Sequence, residues 1–224
     1  MLIKIHRGAN EIGGSCIEIE HENSRIIVDI GMPLYDRDGQ KFDMDKYKSH
    51  IGPELVKQGI LPDVPGIYYW DTKSKPIDGV LISHAHMDHY GLYRFVNKAI
   101  CCYAGAGTKK LIDLTEVFTP YSGTIENCSF IRSGVPSLCG SFSITPYLMD
   151  HSAFDAYAFL IEAQGKKVIY SGDFREHGRK AKAFYWFLHN APRNVDALLL
   201  EGTVFGRAGE VVKTEIDIEN EITG

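Results

Sequence analysis

The chain has 224 residues, 44% hydrophobic and 24% charged, enough for one large globular domain or two small ones. This composition excludes a disordered, collagen-like or membrane-spanning protein, since no apolar run nears the length of a bilayer span. The net charge of −5 is uneven: residues 209–224 hold five acids and one base, a net −4, so the remaining body is close to neutral and carries no general basic signal for nucleic acid.

In chain order, Leu2-Ile-Lys-Ile5 and Cys16-Ile-Glu-Ile-Glu20 alternate with period two and predict half-buried strands. Gly13-Gly14 between them suggests a hairpin turn. Arg25-Ile-Ile-Val28 reads as a strand buried on both faces, ending in Asp29-Ile-Gly31. Residues 32–77 are polar and read as a long excursion with one short helix near residues 53–57. Gly79-Val-Leu-Ile-Ser83 is a second buried strand running straight into His84. Helical spacing predicts helices over residues 88–97, 108–118 and 180–190, the last stopped by Pro192. Ser141-Phe-Ser-Ile-Thr145 alternates as a strand does. Residues 157–171 predict a hairpin turning at Gln164-Gly165. Val195-Asp-Ala-Leu-Leu-Leu-Glu201 closes the series as a strand. Beyond it, Thr214 is placed to cap a helix whose first turn is crowded with acids, where the helix dipole favours them.

The opening Met1-Leu-Ile-Lys-Ile-His6 lacks signal-peptide architecture, which predicts a cytoplasmic location and no membrane partner. Five cysteines without Cys-x-x-Cys spacing predict reduced, mostly buried thiols, neither a disulfide framework nor a cysteine zinc site.

The strongest signal is His84-Ala-His86-Met-Asp88-His89, between a buried strand and a helix. Histidines at i and i+2 in extended backbone point the same way, and the following turn can aim Asp88 and His89 into the same space. Four potential ligands in six residues exceed the need of one tetrahedral ion that keeps a water position, so they suggest two ions. His6, His21, His50, His177 and His189 lie in no motif and are expected on the surface.

This motif resembles the signature of the metallo-β-lactamase fold. Asp29 resembles that family's early supporting aspartate, His151 in Met149-Asp-His-Ser152 its third histidine, and Asp173 in Ser171-Gly-Asp-Phe174 its bridging carboxylate. The resemblance implies an α+β fold: a four-layer αβ/βα sandwich of two mixed sheets flanked by helices. It implies His84, His86 and His151 on one divalent cation and Asp88, His89 and Asp173 on a second, with Asp173 reaching both, Asp29 supporting them, and a water between the ions. Zinc is expected, with manganese the alternative.

Three features lean toward the nuclease branch of that family. Ala197-Leu-Leu-Leu-Glu201-Gly-Thr203 resembles the acidic motif that opens the β-CASP region. The flanks of the histidine motif resemble those of ribonuclease J-like proteins. Arg175, Arg179 and nearby lysines, followed by Phe184-Tyr-Trp-Phe187, suit phosphate and base contacts, although an ordinary amphipathic helix explains them as well. The expected activity is phosphodiester hydrolysis of RNA, or DNA, by cation-activated water, with Asp88, Asp173 and Glu201 as catalytic residues. A small-ester, lactone or thioester hydrolase and a catalytically silent scaffold are the alternatives, and self-association stays open.

The family also implies a further histidine on the second ion late in the chain, and nothing after His189 supplies it. The expectation is therefore a metallo-β-lactamase-like domain over residues 1–208, lacking its last strand and helix and part of its second metal site. Residues 209–224 would then begin the helix that enters a β-CASP-like domain.

Overall fold

Period-two burial sets the layers. In the computed structural model, which describes residues 1–36, 38–47, 49–119, 123–203 and 213–223, six strands form the first sheet. They are β1 (Leu2–Arg7), β2 (Cys16–His21), β3 (Ser24–Val28), β4 (Gly79–Leu81), β5 (Cys101–Gly105) and β6 (Cys128–Ile131), neighbours in that order. Pairing is antiparallel through β3 and parallel beyond it. The second sheet uses β7 (Ser137–Cys139), β8 (Phe142–Leu148), β9 (Tyr157–Ala163), β10 (Lys166–Tyr170) and β11 (Ala197–Leu199), in the order β11-β10-β9-β8-β7. Only β10 and β11 run parallel there.

Successive side chains of a strand face opposite ways, and the core divides accordingly. Ile26, Val28 and Leu81 point to the second sheet and meet Phe142, Ile144, Phe159 and Ile161. Ile27 and Val80 point outward, onto Leu55, Leu61, Val64, Ile67 and Tyr68. On the far side, Tyr147, Leu160 and Ile169 receive Phe187 from the helix Ala181–Asn190. The architecture is the expected four-layer α+β sandwich.

Several elements differ from expectation. Residues 32–77 are not a polar excursion. Beyond the helix α1 (Gly52–Lys57), Met44, Ile60, Leu61, Val64, Ile67, Tyr68 and Ile77 are buried and form the outer layer. Their apolar residues are scattered between Pro, Gly and Asp, so no period betrays them. That layer also covers the outer face of β2, which makes the strand buried on both sides. Glu18 there accepts from Arg25 Nε at 2.7 Å, and Arg25 donates onward to the carbonyls of Pro65 and Lys75. His6 is drawn in as well, with Nε2 2.8 Å from Glu18, rather than lying on the surface.

The helix expected over residues 88–97 shrinks to α2 (Met87–Tyr90) and a 3-10 turn at Tyr93–Phe95. Hydrogen bonds to the extension of β3 compete with helical ones there, as when Leu92 N donates to the Ile30 carbonyl. Gly13 and Gly14 do take left-handed backbone, but within a loop over residues 8–15 whose Gly13 bridges Pro33. The strands β5, β6 and β7 had no clear sequence signal. The helix α3 (Ala106–Phe118), α4 (Ala181–Asn190) and the β9–β10 turn match expectation, with Gln164 and Gly165 both at positive φ. In α5 (Glu215–Thr223), Thr214 Oγ1 caps Asp217 N at 3.1 Å. Residues 204–212 and 224, which the two expected domain segments include, lie outside the described residues.

Candidate metal centre

Every candidate side chain leaves the C-terminal end of a strand, where loops escape the ladder. Asp29 follows β3, the 84–89 motif follows β4, His151 follows β8, Asp173 follows β10 and Glu201 follows β11. The motif is held by its backbone against the extension of β3. Ile30 N donates to His89 O at 2.8 Å, Met32 N to Met87 O at 2.9 Å and Ser15 N to Asp88 O at 3.1 Å. Only glycine fits at position 31, because a Cβ there would lie 1.7 Å from Asp88 O.

Two groups of potential ligand atoms result. His84, His86, His151 and Asp173 form one; Asp88, His89 and Asp173 form the other; within each, one atom per residue lies within 4.8 Å of the rest. In the first, His86 Nδ1 is 3.1 Å from both His84 Nε2 and His151 Nε2. Asp173 Oδ2 is 3.9 Å from His84 Nε2 and 3.8 Å from His151 Nε2. Ligand atoms about 2.0–2.1 Å from a tetrahedral ion sit about 3.3 Å apart, so three imidazoles and a carboxylate fit one divalent cation. In the second, His89 Nε2 is 3.3 Å from Asp173 Oδ1 and 3.8 Å from Asp88 Oδ2. The two oxygens of Asp173 thus face different groups.

Asp29, fully buried at φ +58°, is the hub behind both. Its Oδ1 accepts from Ser83 N at 2.8 Å; its Oδ2 accepts from Ser83 Oγ at 2.8 Å and from the Tyr170 hydroxyl at 2.6 Å. His89 Nδ1 lies 2.7 Å from the same Oδ2. Ser83 has a single hydroxyl proton and gives it to Asp29, so towards His84 Nδ1, 3.0 Å away, it acts as acceptor. His84 is thereby held with the proton on Nδ1 and the Nε2 lone pair turned to the cluster, as ligation requires, while Asp29 on Nδ1 of His89 turns that ring's Nε2 to Asp173. Ser83 and Tyr170 escaped the sequence reading. The signals were present: a hydroxyl next to the first histidine, and a tyrosine at an inward strand position, where its O–H needs a partner.

Electrostatics suit cation binding. Burial, then the neighbouring imidazoles and Lys180, holds His84 well below its ordinary value and so neutral. Burial does the same to His86 and takes His151 down to about 4 against the pull of Asp173. His89 is the exception: burial opposes its charge, but Asp29 and Asp173 prevail and raise it to about 10. Burial acts to raise the Asp173 pKa, yet its hydrogen bond to His89 keeps it lowered. A cation entering the second group has to displace the His89 proton.

Glu201 and Asp173 line the same cleft of about 400 Å³ as Asp88 and His89, opposite the 8–15 loop. Glu201 accepts from Thr203 N at 3.0 Å and from Phe174 N at 3.5 Å. Arg175 and Arg179 are placed otherwise than expected for open substrate contacts. Arg175 bonds Glu215 and lies 3.6 Å from buried Asp150, and Arg179 donates to Glu219 at 2.7 Å, so the acidic helix α5 engages both. The aromatics of α4 divide: Phe187 enters the core, while Tyr185 and Trp186 stay half exposed.

Fold and site together define a metallo-β-lactamase-type protein. The chain belongs to the beta-lactamase superfamily, whose domain model matches residues 52–219, and that fold implies divalent metal binding. It is 26% identical over 187 residues to an RNase J-like protein of Methanocaldococcus jannaschii, covering 79% of this chain and 37% of that protein. It is 27% identical over 209 residues to Ribonuclease J of Helicobacter pylori, covering 90% of this chain and 28% of that enzyme. The chain therefore spans about a third of the length of these relatives. A structure of a protein of unknown function from Enterococcus faecalis superposes with a TM-score of 0.80 at 22% identity, covering 98% of this chain and 56% of that one. Among the described residues no helix is long and apolar enough to cross a membrane.

Proposed function

We propose that the chain carries the metal centre of a phosphodiester hydrolase acting on RNA, of the ribonuclease J and β-CASP type. The observation that carries this reading is the pair of ligand groups sharing Asp173, in a chain similar to proteins named for RNase J. A pair of divalent cations, zinc in this reading, supplies Lewis acidity and neutralises an anionic phosphodiester when bound. His84, His86 and His151 would hold one with Asp173; Asp88, His89 and Asp173 would hold the other. Among the described residues the second group offers three ligands against four, so it is the weaker site.

The chain's own groups do the rest. Asp29 and Ser83 fix the imidazoles. Asp88, beside His89 and Asp173, orients the attacking water and takes its proton. Glu201, lining the same cleft, would take a proton from solvent and give it to the leaving oxygen, while the proton on Asp88 returns to solvent; Thr203 N holds one of its carboxyl oxygens. Arg175 and Arg179 would reach phosphates only on release from α5.

The test compares chain loaded with zinc or manganese on 5′-monophosphorylated RNA, on DNA of the same sequence, and on a lactone and thioester panel. RNA cleavage is expected, with His84→Ala losing turnover and bound metal while keeping its far-UV circular dichroism. Turnover of a lactone or thioester with RNA untouched would overturn the reading in favour of a small-molecule hydrolase. Full metal content with no turnover of anything would make the chain a metal-binding scaffold.

A further inference from the structure

Phe154 is an exposed aromatic held still, three residues beyond the candidate ligand His151. It is 66% exposed, which would be unremarkable at the end of a loose loop, but this turn is anchored from several sides. The Asp155 carboxylate accepts from Gly107 N at 2.7 Å and Thr108 N at 3.1 Å, closing the first turn of α3. Thr108 Oγ1 donates to the Asp155 carbonyl at 2.8 Å, and the Tyr157 hydroxyl donates to the other Asp155 oxygen at 2.7 Å. The Phe154 ring itself fills the space left by a missing side chain, since a Cβ on Gly107 would lie 2.7 Å from it.

Lys180 completes the arrangement. Its Nζ donates to the Ala153 carbonyl at 2.8 Å and stands 6.0 Å from the centre of the Phe154 ring. Arg175 and Arg179 are engaged by the carboxylates of α5, whereas among the described residues Lys180 makes no ion pair. Its ammonium, which feels the carboxylates of Asp150, Asp155 and Glu215 without closing on any of them and also acts on His84, therefore sits beside an open aromatic ring near the candidate metal centre. A hydrophobic core residue would be covered, and a chance surface phenylalanine would lack this anchoring. Base stacking on a rigid ring, with a cation on the adjoining phosphate, is the usual chemistry of single-strand recognition.

We propose that Phe154 and Lys180 form a nucleotide-binding pair, the ring stacking one base next to the scissile phosphate and the ammonium contacting a neighbouring phosphate. The pair determines binding and takes no part in bond breaking. It rests on the phosphodiesterase reading above and extends it to the substrate's bases.

The experiment measures binding of a single-stranded RNA to metal-loaded protein, intact or with one abasic position moved along the strand. Phe154→Ala is expected to weaken binding of intact RNA about 5- to 100-fold, the range for loss of one stacked base. The effect should fall on KM with kcat nearly unchanged. Phe154→Trp should restore affinity, and its fluorescence should be quenched by RNA. One abasic position should abolish the difference between wild type and Phe154→Ala. Lys180→Gln should flatten the salt dependence of binding by about 0.7 of a logarithmic unit per decade. Metal content, measured alongside, should match wild type in all three variants, which separates lost contact from lost folding. If wild type cleaves RNA and Phe154→Ala matches it at every abasic position, the pair is wrong and the nuclease reading stands. If wild type neither binds nor cleaves RNA, both fall.

Discussion

Ser83 has one hydroxyl proton and three polar neighbours: Asp29 Oδ2 at 2.8 Å, His84 Nδ1 at 3.0 Å and His89 Nδ1 at 3.3 Å. It touches an imidazole from each ligand group, so its loss should be felt at both. Ser83→Ala leaves the buried strand end its volume but leaves His84 free to turn or to change tautomer. Removing such a supporting partner typically weakens metal affinity about 10- to 100-fold. Competition against a chelator of known affinity should show that loss with circular dichroism unchanged, and Ser83→Thr should recover most of it. An affinity within twofold of wild type would show that Asp29 alone orients the ring. At this scale the clustering of the candidate ligands was legible in the sequence because His-x-His-x-Asp-His is local. Ser83 and Tyr170 offered only general signals, a hydroxyl and an inward tyrosine, because the partner that gives them their roles, Asp29, lies 54 and 141 residues away.

At the scale of elements, the strands buried on both faces were legible from unbroken apolar runs, and the layer over residues 44–77 was not. That layer has consequences for β1, β2 and β3. By covering Glu18 and Arg25 it turns a surface ion pair into a buried one, with His6 added. Burial alone would raise the Glu18 pKa; the hydrogen bonds from His6 and Arg25 outweigh it and leave the value below the ordinary 4.5. His6 is lowered by burial against the pull of Glu18. Both shifts make the folded chain bind fewer protons than the unfolded one, so both subtract stability as pH falls. The Glu18 contribution is complete above 4.5 and disappears as pH drops through its lowered folded value. Glu18→Gln should therefore destabilise the chain at pH 7 by about 1–3 kcal/mol, the usual scale for a buried charge-assisted bond. Urea unfolding of variant and wild type should converge as pH falls below 4.5. A gap independent of pH would assign the loss to packing rather than charge. The helix expected over residues 88–97 failed for a related reason: periodicity records which residues are apolar, and not which backbone groups a neighbouring strand will claim.

Across the whole molecule, the candidate metal centre is the place where side chains of the two sheets come together. His84, His86, Asp88 and His89 hang from the first sheet; His151 and Asp173 hang from the second. A cation in the first group ties β4 to β8 and β10, and in the unfolded chain these ligands are scattered over 90 residues. Binding to the folded state alone stabilises it by mass action, about 2.7 kcal/mol at a hundredfold excess over Kd. For a chain of this size each kcal/mol moves Tm by about 2–4 °C, so chelation should lower Tm by roughly 5–10 °C. The variants should then separate the two groups. Asp88→Asn disturbs only the second and should keep the larger share of the shift, whereas Asp173→Asn removes a ligand from both and should lose most of it. Metal analysis would show one retained cation in the first variant and sub-stoichiometric metal in the second. Equal shifts in the two variants would mean that Asp173 does not join the groups, and the shared centre would have to be replaced by a single site on His84, His86 and His151.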